Sequence, residues 1–246
     1  MISNLTTQER QNEHGNVLFL ILIAVALFAA LSYAVTQSSR SGGGDAGKET
    51  NLVNSAQITQ YPSGIRTAIV RMIIGGADIN ELEFNPPSAF STLHNDKLGV
   101  FHPVGGGATH TVPPPDIMSN TAPADTKEWF FNAENQIVDV GTTSGSATPA
   151  YGTADLIAFL PGVSASVCSK LNESLGLPTT PPAATGVLYK RNMDSTNQYI
   201  CGGPTAPTCN GGTIGNATGT HILNGKPFGC FTQDSLNIYY HVLVER

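Results

Sequence analysis

The residues of this 246-residue sequence best suited to chemistry are four cysteines, Cys168, Cys201, Cys209 and Cys230, all in its last third. Their successive spacings of 33, 8 and 21 residues lack the close C-x-x-C pairs that a zinc site uses. An even count suits two disulfides, which persist in oxidising compartments. Three pairings of four cysteines are possible. The one expected here closes a local Cys201–Cys209 loop around GGPTAPT and ties Cys168 to Cys230.

Little else in the chain suggests catalysis. The six histidines are scattered, and His102 and His110 only flank Gly105–Gly107. Those glycines could cradle a phosphate, but no Lys-Ser/Thr follows them and Pro113–Pro115 close off a helix. The sequence contains no G-x-S-x-G, H-E-x-x-H, C-x-x-C or G-x-x-x-x-G-K-[ST] pattern. An enzyme is therefore not expected, and neither are catalytic residues, a metal or a cofactor. The net charge of −6 is dispersed, with no basic run longer than Lys190–Arg191, which argues against a nucleic-acid partner. Asn172 and Asn216 open N-E-S and N-A-T, patterns that match the glycosylation acceptor.

The cysteines need elements to hold them. GVSASVCSKLNESLGLP predicts a helix with the stripe Val163, Val167, Leu171 and Leu175, ended by Gly176 and Pro178. Cys168 lies beside that stripe, facing the domain body. THILNGKPFGCF carries Asn224–Gly225, a strong hairpin turn signal, and Pro227 puts its strand at an edge or at its start. With NIYYHVLVER it predicts a three-stranded antiparallel meander that contains Cys230. ADLIAFLPG reads as an apolar strand ended by Pro161. KEWFFNAENQIVDVG reads as a hairpin, Glu128–Phe131 and Gln136–Val140 around a polar turn.

Upstream, residues 49–85 read as helical. Leu52, Val53 and Ala56 mark one side of a first piece, Pro62 interrupts it, and Ser63 caps a second. There Ile65, Ala68, Ile69, Met72 and Ile73 form an amphipathic stripe that Gly75–Gly76 ends. Asp78 caps a short turn before Pro86, and the chain is loop-like from there to about Asp125.

The opening is of another kind. From Val17 to Val35 only Ser32 and Tyr33 are not plainly apolar, and no charge stands between His14 and Arg40. At ~1.5 Å per residue this run spans ~28 Å, close to the ~30 Å hydrocarbon thickness. Being apolar on every side, it is expected to be a membrane helix and not a core helix. It exceeds the apolar region of a secretory signal and lacks a positive start, although Ser32–Ala34 (SYA) could pass as a cleavage site. Gly42–Gly44 follow, each costing about 1 kcal/mol inside a helix. A hinge at 40–48, or a flexible tether to a periplasmic domain, is expected there.

A short polar leader ending at Gly15, followed at once by the apolar helix, resembles the amino terminus of type IV prepilins and pseudopilins. The resemblance covers about 25 residues. It implies cleavage by a prepilin peptidase between Gly15 and Asn16, methylation of the new amine, and an apolar helix that anchors in the inner membrane and then packs against other pilin-like subunits. Ala24, Ala26, Ala29, Ala30 and Ala34 supply the small positions such packing uses. Asn16 stands where the family usually has phenylalanine or methionine, and Leu20 where most members have glutamate, which is compatible with a minor or tip subunit or with a pseudopilin of the kind that lacks this acid.

The fold class implied is α+β: a transmembrane helix, then a pilin-like head with helices packed on an antiparallel sheet. The expected division is leader 1–15, assembly helix 16–39, glycine-rich hinge 40–48, helical segment 49–85 and a β-rich, disulfide-containing head 86–246. The chain would sit singly spanning the inner membrane with its head outside the cytoplasm, then in a periplasmic or cell-surface filament. The alternative is a membrane-anchored periplasmic binding domain that does not polymerise.

Overall fold

The computed structural model describes residues 13–143, 146, 148–149, 153–195, 211–216 and 220–246. The chain divides into two compact units, Met1–Thr50 and Asn51–Arg246. One helix, α1 (Glu13–Ile74), supplies residues to both.

Helix α1 corrects the expectation of two helical pieces. Its backbone stays helical through Gly42–Gly44 and past Pro62, and Ser63 is an interior residue whose Oγ donates to the Thr59 carbonyl. Glycine weakens a helix without forbidding it, and once flanking turns exist each further residue needs no new nucleus. Proline removes one internal hydrogen bond, and Pro62 is buried. The helix ends where expected. Gly76 takes φ +95°, its N–H donates to the Ile73 carbonyl and that of Ala77 to Met72, a Schellman close.

In the second unit the stripe of α1 is as expected from Ile65 onward, with Ile65, Ala68, Ile69 and Met72 buried. One turn earlier the expected side is wrong. Leu52, Val53 and Ala56 are exposed, whereas Asn54, Ser55 and Ile58 are buried. The stripe continued backward at 3.6 residues per turn passes through Ile58, so the inner face was set by the later residues.

That face covers a five-stranded sheet: β1 (Phe130–Ile137), β2 (Asp155–Pro161), β3 (Thr213–Ile214), β4 (Phe228–Gln233) and β5 (Leu236–Val244), in the order β3-β1-β2-β5-β4. Three pairings are antiparallel, while β3 joins β1 in parallel, so the sheet is mixed and not purely antiparallel. Side chains alternate between two layers. Phe131, Ala133, Leu156, Ala158, Leu160 and Tyr239 join Ile58, Ile65, Ile69 and Met72 of α1. Phe130, Ile157, Phe159, Phe231, Tyr240 and Val242 join Val187, Tyr189 and Leu223 on the other side. With both faces covered, every residue of β2 is buried, which is why its sequence is a continuous apolar run rather than an alternation.

Two strand expectations are corrected. No hairpin interrupts Glu128–Val140; β1 runs straight through NAEN, with its register shifting between Asn132 and Asn135 against β2. The asparagines that look like turn formers serve long-range contacts instead. Asn132 Nδ2 donates to the carbonyls of Leu188 (2.9 Å) and Arg191 (3.1 Å). The tail holds two strands, not three. Asn224–Gly225 is a turn, but residues 220–223 just before it form no strand. The β4–β5 hairpin turns at Asp234–Ser235, both with positive φ (53° and 62°). Pro227 immediately precedes β4, an edge strand, as expected.

Helix α2 (Ala165–Ser174) begins at Ser164, whose Oγ accepts from the Val167 N–H. It buries Val167, Cys168 and Leu171. Residues 75–129 are loop with four short 3-10 turns, the first capped by Asp78. Inside that loop the fully buried carboxylate of Glu83 accepts from the His94 N–H, at 3.1 Å to Oε1.

Candidate functional site

The feature of the first unit that could carry a function is the segment Val17–Gln37 of α1, 21 residues long enough and apolar enough to cross a membrane. All its described side chains are exposed. Its polar residues look after themselves: Thr36 Oγ1 donates to the Ser32 carbonyl at 2.7 Å, and Gln37 Nε2 to Tyr33 Oη at 2.8 Å. Such internal pairing is what a helix needs where no water is available. Leu18, Leu22, Val25, Phe28 and Leu31 present bulk, and the alanines between them leave shallow places where another helix could approach closely. The surface therefore suits lipid or a like helix. Gly15 and Asn16 lie in the first turns of α1, which is helical from Glu13.

In the second unit Cys168 of α2 and Cys230 of β4 are joined by a disulfide, with Cα atoms 5.6 Å apart. That is the pairing expected for these two. Cys201 and Cys209 lie outside the described residues. Around the bridge the Asn172 side chain pairs with the backbone of Cys230 in both directions. Cys230 N–H donates to Asn172 Oδ1 (2.9 Å), and Asn172 Nδ2 donates to the Cys230 carbonyl (3.1 Å). Asn172 is thereby fully buried, which removes it as a glycosylation acceptor.

Four buried ionisable groups escaped sequence reasoning, since each lies in an otherwise ordinary strand. Asp155 opens β2; its Oδ2 accepts from Ile137 N–H (2.9 Å) and its Oδ1 from Arg246 N–H (3.0 Å). Burial pushes its carboxyl up to about 7 against those donors. Glu134 on β1 is also pushed up to about 7 by burial, opposed by Arg191, whose Nη1 lies 2.7 Å from Oε1. On β5, Tyr239 Oη and His241 Nδ1 share a hydrogen bond of 2.8 Å. Burial, reinforced by Arg66, lowers His241 to about 4, so the imidazole is neutral. Asp155 thus holds β1 and the Arg246 backbone together, Glu134 faces Arg191, and Tyr239 pairs with His241 along one strand.

The histidines noted around the glycines are separately engaged. His102 Nδ1 accepts from the Val104 N–H at 3.3 Å, and His110 packs edge-on against Phe101. Among the described residues no group of three His, Cys, Asp or Glu could hold a metal ion. No protein-family model, no curated protein and no solved structure matches the chain.

Proposed function

We propose that the chain is a structural subunit, minor or tip, of a type IV pilus or type II secretion-like filament, assembled through its amino-terminal apolar helix. The observation that carries this reading is the uncovered segment Val17–Gln37, in which the Thr36 and Gln37 side chains bond to residues one turn earlier in the same helix. Such a helix is at home in lipid before assembly and among identical helices afterwards, where packing of small residues takes over from lipid contacts. The Gly15–Asn16 junction directly before it suits a prepilin peptidase. The Cys168–Cys230 disulfide suits a head exported to an oxidising compartment. The function is then mechanical, and no enzyme activity is assigned to the chain.

Intact mass and amino-terminal analysis of the mature protein test this directly. A chain beginning at methylated Asn16 is expected, and Gly15→Arg should leave unprocessed precursor in the membrane. A mature chain beginning at Met1 overturns the filament reading and leaves the anchored, non-polymerising domain. A start near Val35 would instead mean a released, secreted domain.

A further inference from the structure

Glu134 is the side chain the fold provides for least. It is fully buried, and among the described residues neither carboxylate oxygen accepts a hydrogen bond. Arg191 is close enough to Oε1 for an ion pair but is not aligned to donate, and its own side chain is 42% exposed. Arg191 belongs to residues 187–195, a strap that lies along the edge of β1. Met193 N–H donates to the Phe131 carbonyl (2.7 Å), and Phe131 N–H donates to Asn192 Oδ1 (2.8 Å). Beyond the strap, Gly211 packs so tightly on β1 that a Cβ there would run into the Glu134 carbonyl.

We propose that Glu134 and Arg191 form a proton-operated latch: the strap 187–195 stays closed on β1 while Glu134 is protonated, and lifts as Glu134 ionises. An ionised carboxylate buried without donors is costly, and one half-solvated guanidinium offsets only part of that cost. Lifting the strap gives the carboxylate the water it lacks. Burial pushing Glu134 up to about 7, more than Arg191 pulls it down, agrees with this direction. The closed strap binds the proton more tightly than the open one, so rising pH favours opening. Between the ordinary value of 4.5 and about 7, the open population grows roughly tenfold per pH unit.

The strap's ties to β1 and β4 run through side chains that do not titrate, while Asp194, the strap's own acid, has a partner of its own. Asn132 donates to Leu188 and Arg191, Asn135 pairs with Leu188, and Gln233 pairs with Val187, all through neutral amides. The neighbouring charges are engaged elsewhere. Lys190 lies 3.3 Å from Asp125, and Tyr189 Oη donates to Asp234 (2.7 Å). Asp155, from β2, holds Ile137 and Arg246 and touches no strap residue. Gly212, Thr213 and Ile214, which pair with the far half of β1, carry no charge. A lifted strap leaves the Phe131 backbone groups uncovered, so the latch controls access to that edge. This inference concerns the second unit alone and stands whether or not the chain polymerises.

Hydrogen–deuterium exchange of the full-length protein in detergent micelles, followed by mass spectrometry from about pH 5 to about pH 7 and corrected for intrinsic exchange, tests it. Protection of residues 187–195 should fall on the order of tenfold per pH unit in the wild type and stay level in Glu134→Gln, while α2 stays more strongly protected than the strap throughout, which marks the opening as local. A level wild-type profile, or an equal slope in Glu134→Gln, overturns the latch. Carboxyl titration of the wild type labelled with 13C-glutamate is the second measurement, and it stands even where the variant does not fold. A Glu134 carboxyl that ionises in the ordinary glutamate range also overturns the proposal.

Discussion

Asn172 and Cys230 are joined twice over. The asparagine amide pairs with both backbone groups of Cys230, and one turn earlier on the same helix Cys168 is disulfide-bonded to it. Side-chain amides that imitate a strand partner recur in this fold. Asn135 serves Leu188, Gln233 serves Val187 and Asn224 serves Asn216, each accepting from the N–H and donating to the carbonyl of one residue. A head with few regular strands satisfies its irregular backbone in this way.

Asn172→Ala should therefore cost about 1–3 kcal/mol, since it strands a buried N–H and a buried carbonyl on Cys230. Asn172→Asp should cost more near neutral pH, because a carboxylate cannot donate to that carbonyl, and it should recover part of the loss on acidification. Urea unfolding of the three proteins at two pH values measures this. Equal midpoints for wild type and Asn172→Asp would contradict the paired-amide role.

The pH dependence of the head has a definite sign. Asp155 and Glu134, both raised to about 7 by burial, keep protons in the folded state that the unfolded chain has released. His241, lowered to about 4 by burial and by Arg66, lacks a proton that the unfolded chain holds below its ordinary 6.5. Over about pH 4.5–6.5 the folded state is thus ahead by two protons and behind by one, a net gain of one. Stability should fall by about 1.4 kcal/mol per pH unit on raising the pH through that window. Glu83, also raised by burial, adds in the same direction. Urea midpoints that climb from pH 5 to pH 6.5 would show the balance to lie the other way.

Ser235→Gly should stabilise the head by ~0.5–1 kcal/mol, because a non-glycine residue sits at φ 62° in the tight turn. Asp234→Gly should gain less, since it also removes the carboxylate that accepts from Tyr189 Oη. Thermal melts of both variants decide the order.

Ala26→Lys, near the middle of Val17–Gln37, places a charge that costs roughly 2.5–3.5 kcal/mol at the centre of a membrane helix. Loss of the chain from the membrane fraction, and of filaments where the wild type makes them, is the expected result. A variant that fractionates and assembles normally would contradict the role given to this surface.

What the sequence made legible was whatever rests on local pattern. The apolar run, the Ile65–Met72 stripe, the body of α2 and the last strand each follow from neighbouring residue types. What misled was local chemistry serving distant partners. The NAEN stretch looked like a turn because asparagines favour turns, yet its amides reach to Leu188 and Arg191. Asn224–Gly225 does turn the chain, but residues 220–223 before it form no strand, whereas Asp234–Ser235 makes the hairpin without a glycine. The buried Glu134 and Asp155 carried no signal, because a lone acid in a strand sequence ordinarily faces water.

The closure of β4 has a consequence for life at high density. Cys230 is occupied by Asn172, while the Thr232 N–H donates to the Pro182 carbonyl and its own carbonyl accepts from Ala184 N–H. An outer strand engaged at Cys230 and Thr232 offers fewer rungs on which a neighbouring molecule could template itself. Crowded copies are then free to meet side by side without fusing into a shared ribbon.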